Sequence, residues 1–192
     1  MFSAFLDTCV LWPSLQRDFL LSLAVEGLYR PLWSEAILEE LEFHECQKLI
    51  MRHDLPEPDA AQRAARLIER MREAFPDAVV VGWESLEGSC GLPDLNDEHV
   101  VAAAHVGGAG AIVTSNVKDF PRAKVPDSIQ VLRPVEFLFN TVSVDPVRAA
   151  VAVTELADRQ ARRDSSRDVD WVLGELERRY GLHAVVGLIR SS

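Results

Sequence analysis

The chain has 192 residues, 48% of them hydrophobic and 26% charged, a balance that suits a globular protein with a proper core and excludes a disordered or low-complexity chain. No apolar run approaches the ~20 residues that span a bilayer, and no basic segment leads into an apolar stretch with a small-residue cleavage site. The formal charge of −10 argues against a broad basic face for nucleic acid, because neutralised phosphates supply most of that affinity.

The charge is uneven. Residues 1–144 hold 12 basic and 22 acidic groups, whereas 145–192 hold 8 of each. If the first part handles phosphate, something must cover its carboxylates, and a divalent cation is the simplest candidate. Cys9, Cys46 and Cys90 are odd in number and far apart, which suggests neither a disulfide framework nor a zinc knuckle and predicts a reducing, cytoplasmic setting.

In chain order, "SAFLDTCVLW" is a mostly apolar run around a single charge, Asp7, as expected of a parallel strand covered on both sides, and Pro13 ends it. Residues 15–28 show helical spacing. "YRPLW" is a short strand, and Ser34 is the N-cap of a long helix over "EAILEELEFHECQKLIMRH". Two prolines in "DLPEPD" break the pattern. "AAQRAARLIERMREAF" is then an amphipathic helix with Arg-rich exposed positions, stopped by Pro76.

"AVVVGW" is the clearest strand, β-branched and bounded by turn residues. "LPDLNDEHVVAAA" starts a helix near Asp94 that closes at "GGAG". "AIVTSN" and "IQVLRP" are two further strands, and "VEFLFNTV" is a short helix or turn. From Asp145 the character changes to two helical segments joined by "DSS", with "LHAVVGLIR" after them. The division expected is 1–143 as the main domain and 144–192 as a small helical appendage.

Strands alternating with helices predict an α/β domain with a central parallel sheet. Functional side chains of such sheets gather at the carboxyl ends of strands. Asp7 and the group Thr114 to Asp119 therefore fall on one rim, and right-handed crossovers open the helix near Asp94 toward it.

Each carboxylate there has a plain structural reading. Asp7 could be a buried side chain satisfied by backbone N–H groups. Glu40 could be a solvated helix charge, although its neighbours Ala36, Ile37, Phe43 and His44 turn it inward more than Glu39 or Glu42. Asp94 is a good N-cap, with Asp97 mimicking a capping box. Asp119 could cap a turn before Pro121. Together, however, they would repel one another strongly without a cation, and oxygen-only ligands select Mg2+ or Mn2+ over zinc. His99, two positions from Asp97, is expected to point elsewhere on its helix. His44, one turn from Glu40, could support that carboxylate. The tryptophans are read as core or interface anchors.

These motifs resemble the PIN-domain ribonucleases, of the kind found as VapC-type toxins in bacterial toxin–antitoxin pairs. The resemblance rests on "FLDTCVLWPSLQRDFLLSLAVEGLYRPLWSEAILEEL", "FPDAVVVGWESLEGSCGLPDLNDEHVVAAA" and "AIVTSNVKDFP", nearly all of residues 4–139. The tail is similar to a short helical C-terminal domain that accompanies one subgroup. The implied fold is a three-layer α/β/α domain around a parallel sheet.

The implied catalytic residues are Asp7, Glu40, Asp97 and Asp119, with Asp94 and Asn116 as accessory polar groups. An Asn common two residues after the first Asp is Cys9 here, which is expected to weaken the positioning of Asp7. Asp7, Asp97 and Asp119 would hold one or two Mg2+ or Mn2+ ions, with Glu40 as a further ligand or the base that orients a water. Thr114 or Ser115 would bind a phosphate oxygen or a coordinated water.

Lys118, Arg122, Lys124 and Arg133 would grip the RNA backbone locally, with marked salt dependence. The resemblance also implies cleavage of structured RNA to a 5′-phosphate and a 3′-hydroxyl. The implied inhibitor is a cognate antitoxin, a small DNA-binding protein whose Arg or Lys would enter the acidic rim. A homodimer could form through "LLSLAVEGL" or the tail helices. Two other readings remain open: a PIN-fold protein-binding regulator without chemistry, supported by Cys9, and a non-toxin nuclease of RNA processing.

Overall fold

The computed structural model describes residues 1–162 and 164–192. Its centre is a five-stranded, all-parallel sheet: β1 Ser3–Leu6, β2 Arg30–Ser34, β3 Val79–Val80, β4 Ala111–Val113 and β5 Gln130–Leu132, in the order β3-β2-β1-β4-β5. β1 is the middle strand, with Phe5 opposite Leu32 on one side and Ile112 on the other. Ala4, Phe5 and Leu6 are wholly buried, which is why this segment shows no polar alternation.

Successive strands β1, β2 and β3 step outward in one direction, and the chain then returns across β1 to β4. Right-handed crossovers send the helices of the outward steps to one face of the sheet and the returning helix to the other. The outward helices are α1 Thr8–Leu11, α2 Ser14–Val25, α3 Glu35–His53 and α4 Glu57–Ala74, and the returning one is α5 Glu98–Val106. The result is the expected three-layer α/β/α arrangement.

α5 is buried continuously from Glu98 to Ala104, and its Val and Ala side chains let it lie close to the sheet. Its end shows how close. A Cβ on Gly107 would come within 2.7 Å of Val80 Cγ2 and 3.2 Å of Leu32 Cδ1, so only glycine fits without shifting those strand side chains.

α3 has the expected bounds, and the Ser34 hydroxyl accepts the Ile37 N–H at 3.3 Å as its cap. Two strand expectations are corrected. "SAFLDTCVLW" is not one strand: it ends at Leu6, Asp7 is extended, and Thr8–Leu11 forms a helical turn. Val10 and Leu11 are fully buried in either case, so apolar pattern alone could not separate the two forms. "AVVVGW" supplies only the two-residue edge strand β3. Val81 is 74% exposed, and Gly82 at φ +79° turns the chain away.

"VEFLFNTV" lies in the helix α6 Pro134–Val144, which is followed by α7 Pro146–Ala161, α8 Val169–Tyr180 and α9 His183–Arg190. The tail helices pack on α2 and α6. Val153, Leu156, Leu176 and Val186 join Leu20, Leu23 and Phe137 in one contiguous apolar cluster. Arg159 Nη2 donates to Ser22 Oγ at 2.5 Å, and Arg148 Nη1 to the Glu26 carbonyl at 3.2 Å. Much of the apolar face of "LLSLAVEGL" is thus covered by the chain's own α7: Leu20 and Leu23 are fully buried, whereas Leu21 is half-buried and Val25 stays exposed. Among the described residues no helix is long and apolar enough to cross a membrane.

Candidate active site

β1 and β4 end side by side, at the point where the chain leaves β1 toward opposite halves of the sheet. In open parallel sheets this switch point is where a crevice forms beyond the carboxyl ends. The Asp7 N–H donates to the Val113 carbonyl at 3.2 Å, extending the ladder by one residue and carrying the carboxylate to the rim. Asp7 is 8% exposed. Its Oδ2 accepts the Thr114 hydroxyl at 2.6 Å and the Cys9 thiol at 3.0 Å.

Those donors are themselves held. Thr114 Oγ1 accepts the Asn116 N–H at 3.0 Å, and Cys9 Sγ accepts the Ser115 N–H at 3.1 Å. Burial, the charge of Asp7 and the hydrogen bond to it push the Cys9 thiol up to about 11, which keeps it a donor. Two expectations change here. Thr114 is fully buried and its hydroxyl is directed at Asp7, so it is not placed to bind phosphate; Ser115 and Asn116 beside it are exposed. Cys9 does not weaken the positioning of Asp7, because its thiol supplies a donor to that carboxylate.

Asp94 and Asp97 bracket a 3-10 turn that runs into α5. The Asp94 side chain accepts the Asn96 N–H at 2.9 Å, whereas Asp97, at the N-cap of α5, caps nothing with its side chain. The Asp97 carboxyl is pushed up to about 6, first by burial and then by the charges of Asp7, Asp94 and Asp119. Asp97 therefore feels the charges of three other carboxylates, Asp7, Asp94 and Asp119. They are not closely clustered: among the described residues no three His, Cys, Asp or Glu side chains are grouped tightly enough to hold a metal ion. The donor set is nonetheless oxygen-only and anionic, the chemistry that suits a hard divalent cation.

Glu98 was not singled out from sequence. It is 1% exposed, and its carboxylate accepts the N–H groups of Leu92 at 2.6 Å and Cys90 at 3.0 Å. Burial alone would raise it, but the donors of Leu92, Cys90 and Gly91 outweigh that and hold it below the usual range. It thereby pins the loop that delivers Asp94 and Asp97. An acidic residue in the first turn of a helix was the one available signal, and helix-dipole compensation is its ordinary explanation.

Glu40 sits on α3, and its side chain is 45% exposed, so it does not face inward more than Glu42 as expected. It is tethered all the same. The Thr8 hydroxyl donates to Oε2 at 2.6 Å, and His99 Nε2 lies 3.4 Å from Oε1. Burial raises the Glu40 carboxyl, but the hydrogen bonds from His99 and Thr8 and the charges of His99 and His44 bring it below its ordinary value. His99 therefore belongs to this site, contrary to expectation. Its ring packs obliquely on Trp83, with centroids 5.9 Å apart.

Asp119 ends a 3-10 turn, Val117–Asp119, and is partly buried. Lys118 and Lys124 are exposed, and Lys124 Nζ reaches over Gly91, 3.3 Å from where a Cβ there would lie. Arg122 is a correction. Its guanidinium donates to the carbonyls of Val125, Pro126 and Asp127 at 3.0–3.1 Å and to Asp127 Oδ1 at 2.8 Å, so it closes its own loop and is not free to grip a backbone. Arg133 is exposed at the N-cap of α6, where its N–H donates to Glu136.

A family model described as PIN domain matches residues 3–118, a span that contains β1 to β4 and three of the four carboxylates named as catalytic. No curated protein and no solved structure matches the chain. Because the match covers more than half of the sequence and lies on a parallel sheet of order 3-2-1-4-5, the chain belongs to the PIN domain family, a family of nucleases.

Proposed function

We propose that the protein is a divalent-metal-dependent endoribonuclease, acting as the VapC-type toxin of a toxin–antitoxin pair. The observation that carries this reading is the PIN domain match over residues 3–118, which spans Asp7, Glu40 and Asp97; the Asp97 carboxyl, pushed up to about 6 by burial and by Asp7, Asp94 and Asp119, supports it. Ionising all four at neutral pH costs energy that a cation would recover.

Asp7, Asp97 and Asp119 would hold Mg2+ or Mn2+. When bound, the ion supplies positive charge that acidifies a water and neutralises charge building on the scissile phosphate. Asp7, fixed through Oδ2, presents its other oxygen. Glu40, kept ionised by His99 and Thr8, takes the proton of the attacking water or lends a further oxygen. Asp94, Asn116 and Ser115 line the approach, and Lys118 and Lys124 hold the RNA phosphates on either side. The products are a 5′-phosphate and a 3′-hydroxyl. A cognate antitoxin, a small DNA-binding protein, would inhibit by inserting an Arg or Lys among these carboxylates.

A purified full-length chain given structured RNA should cleave it with Mn2+ and lose this in Asp97→Asn. Undiminished cleavage by that variant, or in excess EDTA, would remove the metal assignment. The toxin role predicts growth arrest on expression, relieved by the product of an adjacent gene. One observation favours a second reading, a PIN-fold binding module without chemistry: the spacing of the carboxylates, no three of which are tightly grouped among the described residues. Mn2+ titration separates the two.

A further inference from the structure

Away from the carboxylate rim, a cleft of about 800 Å³ runs between α2, α3, α4 and α7. None of the residues proposed for RNA cleavage lines it. Its floor is apolar, built from Leu21, Leu67, Met71, Phe75 and Leu156. Its rim carries Arg63, Arg66 and Arg70 from α4 and Arg159 from α7. The acidic groups in the cleft are neutralised internally: Glu45 pairs with Lys48 and lies 3.6 Å from Arg17, and Asp18 lies 3.4 Å from Arg17.

The α4 arginines have no such partners. Arg63, Arg66 and Arg70 are exposed and form no ion pair with any described residue, although Arg72 on the same helix pairs with Glu35. Spacings of three and four residues place all three on one face of α4, where like charges cost about 0.2–0.5 kcal/mol per pair. α4 as a whole is neutral, its four arginines matched in number by Glu57, Asp59, Glu69 and Glu73, but none of those carboxylates lines the cleft. The lining holds Arg17, Arg63, Arg66, Arg70 and Arg159 against Asp18 and Glu45, a positive edge beside an apolar trough in a chain of net charge −10.

We propose that this cleft is a docking surface for an acidic amphipathic helix of a partner protein. Charge complementarity selects the sign: carboxylates at i, i+3 and i+7 of a second helix span about 10 Å, the same rise that separates Arg63 from Arg70. The apolar floor selects the class. A phosphate backbone would satisfy the arginines and leave Leu67 and Phe75 uncovered, whereas an amphipathic helix covers them with apolar side chains while its acidic flank meets the rim. α7 forms one wall through Leu156, Arg159 and Gln160, so this tail helix is part of the surface. The inference does not depend on the nuclease chemistry.

The test is selection of displayed random peptides of about 16 residues, some four helical turns, on the immobilised full-length chain. Enriched peptides should carry Asp or Glu beside apolar residues at helical spacing. The tightest, made synthetically, should bind the double variant Arg66→Glu/Arg70→Glu at least roughly tenfold more weakly. Replacing its apolar residues by Ser should also abolish binding, and RNA cleavage by the double variant should match that of the wild type. Enrichment of peptides without acidic residues, or binding that survives the charge reversal, would overturn the proposal. So would displacement of the peptide by a short single-stranded RNA that itself loses affinity on reversal, which would make the cleft a nucleic-acid surface.

Discussion

Asp7 and Asp97 bring the same functional group to the same rim from surroundings that are opposite in kind. At the β1–β4 junction, Asp7 is buried and directed by two donors, Thr114 and Cys9, each held in turn by a backbone N–H. In the Leu92–Asp97 segment, Asp97 has no side-chain cap partner, and burial and then three other carboxylates raise its pKa. One oxygen anchor is built by the fold before any ligand arrives, and the other is left electrostatically unsatisfied. Folding can position a carboxylate cheaply where donors are at hand, so the unsatisfied member is the one whose energy a cation would change most.

The largest expected effect tests the anchor itself. Asp7→Asn should lower RNA cleavage in Mn2+ by about three orders of magnitude, some 4 kcal/mol of barrier, with an unchanged circular dichroism spectrum. Next comes the support of that anchor. Thr114→Val removes a buried donor and leaves the Asn116 N–H without its acceptor, and should cost about 2 kcal/mol in urea melts with roughly a tenfold slower rate. Cys9→Ser keeps a donor for Oδ2 and should stay close to wild type in both. A silent Thr114→Val would dissolve the contrast with Asp97.

Asp97 is expected to behave in the reverse sense. Its folded pKa lies above the ordinary value, so the stability it lends is present when it is protonated, below about pH 4, and is lost as pH rises through about 6. In EDTA, Asp97→Asn should therefore raise the melting temperature by roughly 2–4 °C at pH 7, about 1 kcal/mol after solvent screening. At pH 4 it should change little. A melting temperature lowered at pH 7 would mean that Asp97 is satisfied in the free protein. The smallest effect concerns Cys9. With a thiol near 11, about one molecule in a thousand is thiolate at pH 8, so native alkylation of Cys9 should be slow and should accelerate once urea unfolds the chain.

Sequence alone revealed much of the frame because its cues are local. Ser34 caps α3, Asp94 caps the turn before α5, and the α3 bounds follow from periodicity and the capping residue. The alternation of strands and helices was enough to bring Asp7 and the residues after β4 to one rim. What sequence did not reveal is set by contacts between distant segments. Thr114 meets Asp7 across 107 positions, and Thr8 meets Glu40 across 32.

No pattern marks Cys9 as a donor, Glu98 as a clamp on Cys90 and Leu92, or His99 as a neighbour of Glu40. Arg122 misled for the same reason: a basic residue near the rim is indistinguishable from one tied to the loop after it until the loop is folded. "AVVVGW" was overvalued because β-branched residues also suit a two-residue edge.

The most direct measurement is calorimetric titration of Mn2+ into the full-length wild type and Asp97→Asn at neutral pH, in the absence of RNA. A wild-type chain that binds Mn2+, with binding lost in a variant whose fold is intact, is the predicted result. Equal binding by both proteins, or none by the wild type, would contradict the central claim that these carboxylates form one cation site.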